Sequence, residues 1–162
     1  MDRYYQVTSA NSDDLSELVS AVADILSYFE DEYMEGKIDI QIKGAVERAA
    51  SKIPGITEHR WSQLQELEAI VVYIETVVKK AKQRAFKKYF ENYNRQLSSR
   101  DAQIYADADD DVLNKAEVLN QVTFMRNKFL GIYKSIEAKH WQLNNITKLR
   151  TSGMDDAFID YD

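Results

Sequence analysis

Residues 61–93 read WSQLQELEAIVVYIETVVKKAKQRAFKKYFENY, and the fold class turns on them. Leu64, Leu67, Val71, Ile74, Val78, Ala81 and Ala85 recur at alternating steps of three and four. That spacing keeps one side of an α-helix apolar along the whole run. From Lys79 the other sides turn positive, with Lys79, Lys80, Lys82, Arg84, Lys87 and Lys88 followed at once by Tyr89, Phe90 and Tyr93. The first half is therefore a packing seam and the second a basic surface. A helix that offers cations and rings at one end suits a polyanion, single-stranded nucleic acid in particular. The bland alternative is a solvated helix end whose cations complement the dipole. Six cations in ten residues, with aromatics directly after them, favour the polyanion.

The rest of the chain extends this all-helical picture. Its 162 residues suit one domain, or one domain with arms, and can bury a core without staples. Glycine is scarce and Pro54 is the single proline, so most of the chain is expected to be helix. There is no cysteine, and His59 and His140 are the only histidines, which leaves no thiolate chemistry and little for a zinc site. No apolar run is long enough to span a bilayer, and the polar start at Asp2 and Arg3 does not read as a signal peptide. A soluble, intracellular protein with no membrane partner is expected.

A net charge of −6 looks wrong for a nucleic-acid binder until its distribution is followed. Residues 1–35 carry −8, residues 79–100 carry +7, residues 101–125 carry −5 and residues 126–150 carry +5. Separate blocks of both signs make local fields of both signs, about which net charge says little.

Residues 1–12 lack periodicity and are expected to form a loose arm. Asn11, Ser12, Asp13 and Asp14 can cap a helix whose stripe is Leu15, Leu18, Val22, Ile25 and Phe29, with Gly36 as its C-cap. A second helix is expected over 39–53, with Ile42, Val46, Ala49 and Ile53 inward. Pro54-Gly55 should break the chain there, and Thr57 should start the long helix, which runs to about Asn94. A turn near Ser98–Arg100 and a short helix through Ile104 and Tyr105 lead to Asp107–Asp111. The last helix spans about 110–150, with Leu119, Val122, Phe129, Ile132, Ile136, Leu143 and Ile146 as its stripe. Gly131 inside it marks a bend or a close approach. The two long helices should form an antiparallel hairpin, leaving apolar surface for other subunits. This divides the chain into an acidic arm and helix (1–36), a helical domain (37–153) and an acidic tail (154–162) that contains Phe158 and Tyr161.

Among candidate sites, Lys79, Lys80, Lys82, Arg84, Lys87 and Lys88 are the expected phosphate contacts, extended by Arg95 and Arg100. Tyr89 and Tyr93 are the expected stackers, while Phe86 reads as core. Lys80, Arg84 and Lys87 share one side of the helix, with Lys79 and Lys82 on another. Lys134, Lys139, His140, Trp141, Lys148 and Arg150 form a second basic block in which Trp141 reads as packing. Phe129, Ile132, Ile136, Leu143 and Ile146 are expected to carry packing and homo-oligomerisation. The acids at 107–111 fit a helix N-terminus better than a metal site, since consecutive aspartates diverge on a helix. His59, Glu66 and Glu68 read as surface. No catalytic constellation, glycine-rich phosphate loop or metal motif is present, so neither an enzyme nor a cofactor is expected.

The run from Ala49-Ala50-Ser51-Lys52-Ile53-Pro54, through KKAKQRAFKKYFENY and DADDDV, to KHWQLNNITKLRTSG at 139–153 resembles the UvsY family of phage recombination mediators. The likeness covers roughly 37–154, and its order carries it: a basic helix ending in paired aromatics, an acidic turn, a long helix, then an aromatic-Gln pattern closing on Gly. Family members place their basic residues before a Tyr-Tyr pair; here the pair is Tyr89-Phe90 and Phe86 intervenes. Residues 1–36 have no counterpart in the shorter members. The resemblance implies a helical ring oligomer that binds single-stranded DNA, weakens the hold of a single-strand-binding protein and loads a RecA-like recombinase. Its setting would be the cytoplasm of an infected bacterial host. The rival expectation is a helical phage structural or assembly protein that binds only other proteins.

Overall fold

The computed structural model describes residues 2–92 and 97–153, all of whose regular structure is helical. Five helices follow one another: α1 (Asp2–Ser9), α2 (Leu15–Asp39), α3 (Val46–Asn92), α4 (Ser99–Asp107) and α5 (Asp110–Thr151). Capping side chains explain three of the starts. Asp14 accepts from the backbone N–H groups of Ser16 and Glu17 at 2.9 and 3.3 Å, Ser98 from Asp101 at 3.2 Å, and Asp109 from Asp111 at 3.1 Å. Each satisfies donors that a helix N-terminus otherwise leaves orphaned.

The expected seam is buried: Leu64, Leu67, Val71, Ile74, Val78, Ala81 and Ala85 all face inward. Three clusters run along the paired α3 and α5. The first joins Leu64–Val78 of α3 to Val118–Phe129 of α5, with Leu18, Val22, Ile25 and Phe29 of α2 and Val7 of α1. Phe29 and Phe129 meet edge to face at 5.3 Å, a geometry worth about 0.5–1.5 kcal/mol beyond burial. The second joins Val46, Ala49 and Ile53 to Ile132, Ile136 and Leu143. The third, at the far end of α3, joins Ala81 and Ala85 to Ala106 and Val112, where small side chains bring α3, α4 and α5 together.

Several expectations need correction. Pro54-Gly55 does not break the chain, because α3 runs through both. Ile53 and Ile56 pack into the second cluster on either side of Pro54, and that burial holds the helix past the missing N–H. Thr57 starts nothing; its hydroxyl donates to the Ile53 carbonyl at 2.8 Å one turn back. Gly36 is no C-cap, since α2 continues to Asp39. A Cβ at Gly36 would lie 3.2 Å from Ile132 Cγ2, so this glycine marks the close approach of α2 and α5. The close approach considered at Gly131 is absent, because a Cβ there would meet nothing within 4 Å.

Residues 2–9 are helix rather than loose arm. Val7 is fully buried in the first cluster, and Arg3 pairs with Glu66 at 3.2 Å while its guanidinium lies 3.3 Å from the centre of the Tyr28 ring. Glu66, read as surface, is thereby drawn inward. The 36/37 boundary falls inside α2. Between α2 and α3 the chain turns through Gly44, whose φ of +79° is the left-handed region that glycine enters without strain. No helix among the described residues is long and apolar enough to cross a membrane.

Candidate nucleic-acid interface

The last fourteen residues of α3, from Lys79 to Asn92, are fixed by Ala81 and Ala85. Because these two alanines face α4 and α5, Lys79, Lys80, Lys82, Arg84, Lys87 and Lys88 all stand exposed. Lys80, Arg84 and Lys87 line one shallow hollow of about 450 Å³ with Gln83 and with Ser12 and Asp13 from the α1–α2 connection. Lys79 and Lys82 lie outside that hollow.

Carboxylates from three other parts of the chain reach this surface. Arg84 pairs with Asp13 at 2.7 Å, Lys82 with Asp107 at 3.1 Å and Lys88 with Asp109 at 3.2 Å. Lys87 stands 3.9 Å from Glu91 on its own helix. Among the described residues, Lys79 and Lys80 have no carboxylate within ion-pair distance. The hydrogen bond from Lys82, with one from Gln103, holds the Asp107 carboxyl below its ordinary range. Burial works against the Asp109 charge, but hydrogen bonds from Lys88, Tyr89 and the Asp111 backbone outweigh it and lower its pKa. The Lys88 ammonium is raised in turn by its bond to Asp109. Exposed pairs of this kind contribute little to stability. A polyanion that releases counterions along its length can displace them, so the pairs moderate the surface without closing it.

The aromatic residues divide. Tyr89 is partly buried against the third cluster, with its ring 5.7 Å from Tyr105 and its hydroxyl donating to Asp109 at 3.1 Å. Phe86 also packs there, as read from the sequence. Phe90, passed over as a stacker in favour of Tyr89 and Tyr93, is half-exposed and lies parallel to Phe86 at 5.5 Å, 10° from coplanar. It is thus a half-exposed ring beside the cations. Its signal was its place one residue beyond Tyr89, which falls near the inward stripe. Tyr93 and Arg95 lie outside the described residues, as do the acidic tail and the end expected at Asn94.

The second basic block does not form one surface. Lys134, His140, Lys148 and Arg150 are exposed, but Lys139 is buried and donates to the Asp39 carbonyl at 2.6 Å. Trp141 was read as packing, yet it is 67% exposed, because it lies two residues past Lys139 on the opposite side of α5. Of the residues expected to carry assembly, Phe129, Ile132, Ile136 and Leu143 are buried within this chain, and Ile146 packs against the second cluster.

Asp109 caps α5, and among the described residues no group of three His, Asp or Glu side chains is placed to hold a metal ion. Compared with known proteins, the chain matches no protein-family model, no curated protein and no solved structure.

Proposed function

We propose that this chain is a non-enzymatic recombination mediator of the UvsY kind. It binds single-stranded DNA, helps displace a single-strand-binding protein and helps load a RecA-like recombinase in phage homologous recombination and repair, in the cytoplasm of the infected host. The observation that supports it best is the exposed cation run Lys79–Lys88, with Lys80, Arg84 and Lys87 around one hollow and the half-exposed Phe90 close by in sequence. In this reading α3 and α5 form an antiparallel hairpin, and copies of the chain assemble into a ring. A ring repeats the patch, so contacts that are weak singly add by multivalency. Fluorescence anisotropy with labelled single-stranded DNA at rising salt tests the reading. Binding that weakens steeply with salt is expected, and no binding even at low salt would sink it.

A second reading is an assembly protein that contacts only other proteins, which would draw on exposed rings of α5 such as Phe124 and Trp141, at 63% and 67%. A stable oligomer that ignores DNA at low salt is its signature.

A further inference from the structure

At the start of α3, roughly 40 Å of helix away from the Lys79–Lys88 surface, a second concentration of positive charge encloses a cavity of about 440 Å³. Lys43, Arg48, Lys52 and Lys139 line it, contributed by the α2–α3 connection, α3 and α5. Lys139 is 8% exposed, a buried ammonium whose Nζ donates to the Asp39 carbonyl at 2.6 Å. Asp39 is the one carboxylate among the lining residues, and its side chain is already held by Arg60 at 2.6 and 2.9 Å. Among the described residues, Lys43, Arg48 and Lys52 have no carboxylate within ion-pair distance. This cavity differs in that respect from the Lys79–Lys88 surface, where four of the six cations are paired internally.

Burial depresses the Lys139 ammonium, the Asp39 charge resists this and Lys52 adds to it, so the two lysines feel each other's field. The α3 N-terminus opens beside the cavity without a capping side chain, because Ala45 stands where α2, α4 and α5 have Asp14, Ser98 and Asp109. Its first N–H groups add donors and the positive end of the dipole.

We propose that this cavity is a phosphate-binding site. It would take a phosphoryl group from a free phosphate compound or from the 5′ end of a nucleic acid, with Arg48 and Lys52 as its main charged donors and Lys139 at its buried side. An entering phosphate, carrying about two negative charges, would offset part of the charge of four cations that the chain itself leaves with one engaged carboxylate. Hydrogen bonds to charged partners are the strong kind, which favours a built site over diffuse attraction. The site does not rest on the mediator reading, since it uses none of the same residues.

Calorimetric titration of the full chain with sodium pyrophosphate, at ionic strength matched with chloride, tests the site. Saturable binding is expected, weakened about tenfold or more in R48Q/K52Q. Both side chains are exposed, so the variant should keep its circular dichroism and melting temperature. Binding should persist in K80Q/R84Q/K87Q. Absence of saturable binding overturns the proposal. So does undiminished affinity in R48Q/K52Q, or loss of binding in the distal triple variant alone. A 5′-phosphorylated dinucleotide compared with its 5′-hydroxyl form then separates the sources. Preference for the phosphorylated form, lost in R48Q/K52Q, supports a nucleic-acid end. Equal weak binding of both, with pyrophosphate retained, supports a free phosphate compound.

Discussion

Arg60 sits at 3% exposure between Glu32, Asp39 and Gln63, donating to Glu32 Oε2 at 2.8 Å, Asp39 Oδ2 at 2.6 Å and Gln63 Oε1 at 2.9 Å. Removing it would leave the partly buried Glu32 and Asp39 without the guanidinium that joins them. Arg60→Ala should therefore cost about 3–5 kcal/mol, measured by urea unfolding. A loss below about 1 kcal/mol would show that the network relaxes into water. Glu32 supplies a pH signature for the same network. Burial disfavours its charge, but hydrogen bonds from Gln63, Tyr28 and Arg60 prevail and hold its pKa at about 2, against an ordinary 4.5. The folded pKa is depressed, so the unfolded state binds more protons between those values. The stabilisation is fully present above pH 4.5 and is lost as pH falls toward 2. It amounts to something on the order of 3 kcal/mol. Glu32→Gln should flatten the fall in stability over that window, which denaturation at several pH values would reveal. On the basic surface the expected sign is different. Asp107→Asn frees Lys82, so it should tighten single-stranded DNA binding by a few-fold at low salt while costing at most about 1 kcal/mol of stability.

Helix by helix, the seams were legible and the interruptions were not. The three-and-four spacing from Leu64 to Ala85 needs no knowledge of partners, because an amphipathic helix declares its own buried side. Local propensity favours a break at Pro54, while Ile53 and Ile56 are held by α5 residues some eighty positions away. The short α1 is hidden from the sequence for a related reason. Eight residues are too few for a helix to stand alone, so its existence depends on Val7 entering a distant core. The same limit applies to the candidate surface: its cations could be read directly, but their carboxylate partners at Asp13, Asp107 and Asp109 come from other elements. Two substitutions follow. Gly131→Ala places a methyl in open space on α5 and should stabilise the protein by about 1 kcal/mol. Pro54→Ala restores a donor inside α3 and should add between about 1 and 3 kcal/mol. Thermal unfolding checks both, and a fall in melting temperature for Pro54→Ala would mean that the helix is shaped around its proline.

For the whole molecule, net charge and local field are separate quantities. The chain is negative by six charges, yet it presents cations at both ends of one 47-residue helix. A polyanion on the Lys79–Lys88 surface would feel that local field and release counterions in proportion to the phosphates it neutralises. For single strands the slope of log affinity against log salt is about −0.7 per neutralised phosphate. Replacing Lys80, Arg84 and Lys87 by glutamine removes three cations around one hollow, so the slope should become shallower by about 2. None of the three side chains is buried, and the apolar clusters that join the helices lie elsewhere, so sedimentation should return the same mass before and after the change. A variant that binds more weakly at an unchanged slope would place the phosphate contacts on other residues. One that falls apart in the centrifuge would identify this surface as a contact between subunits.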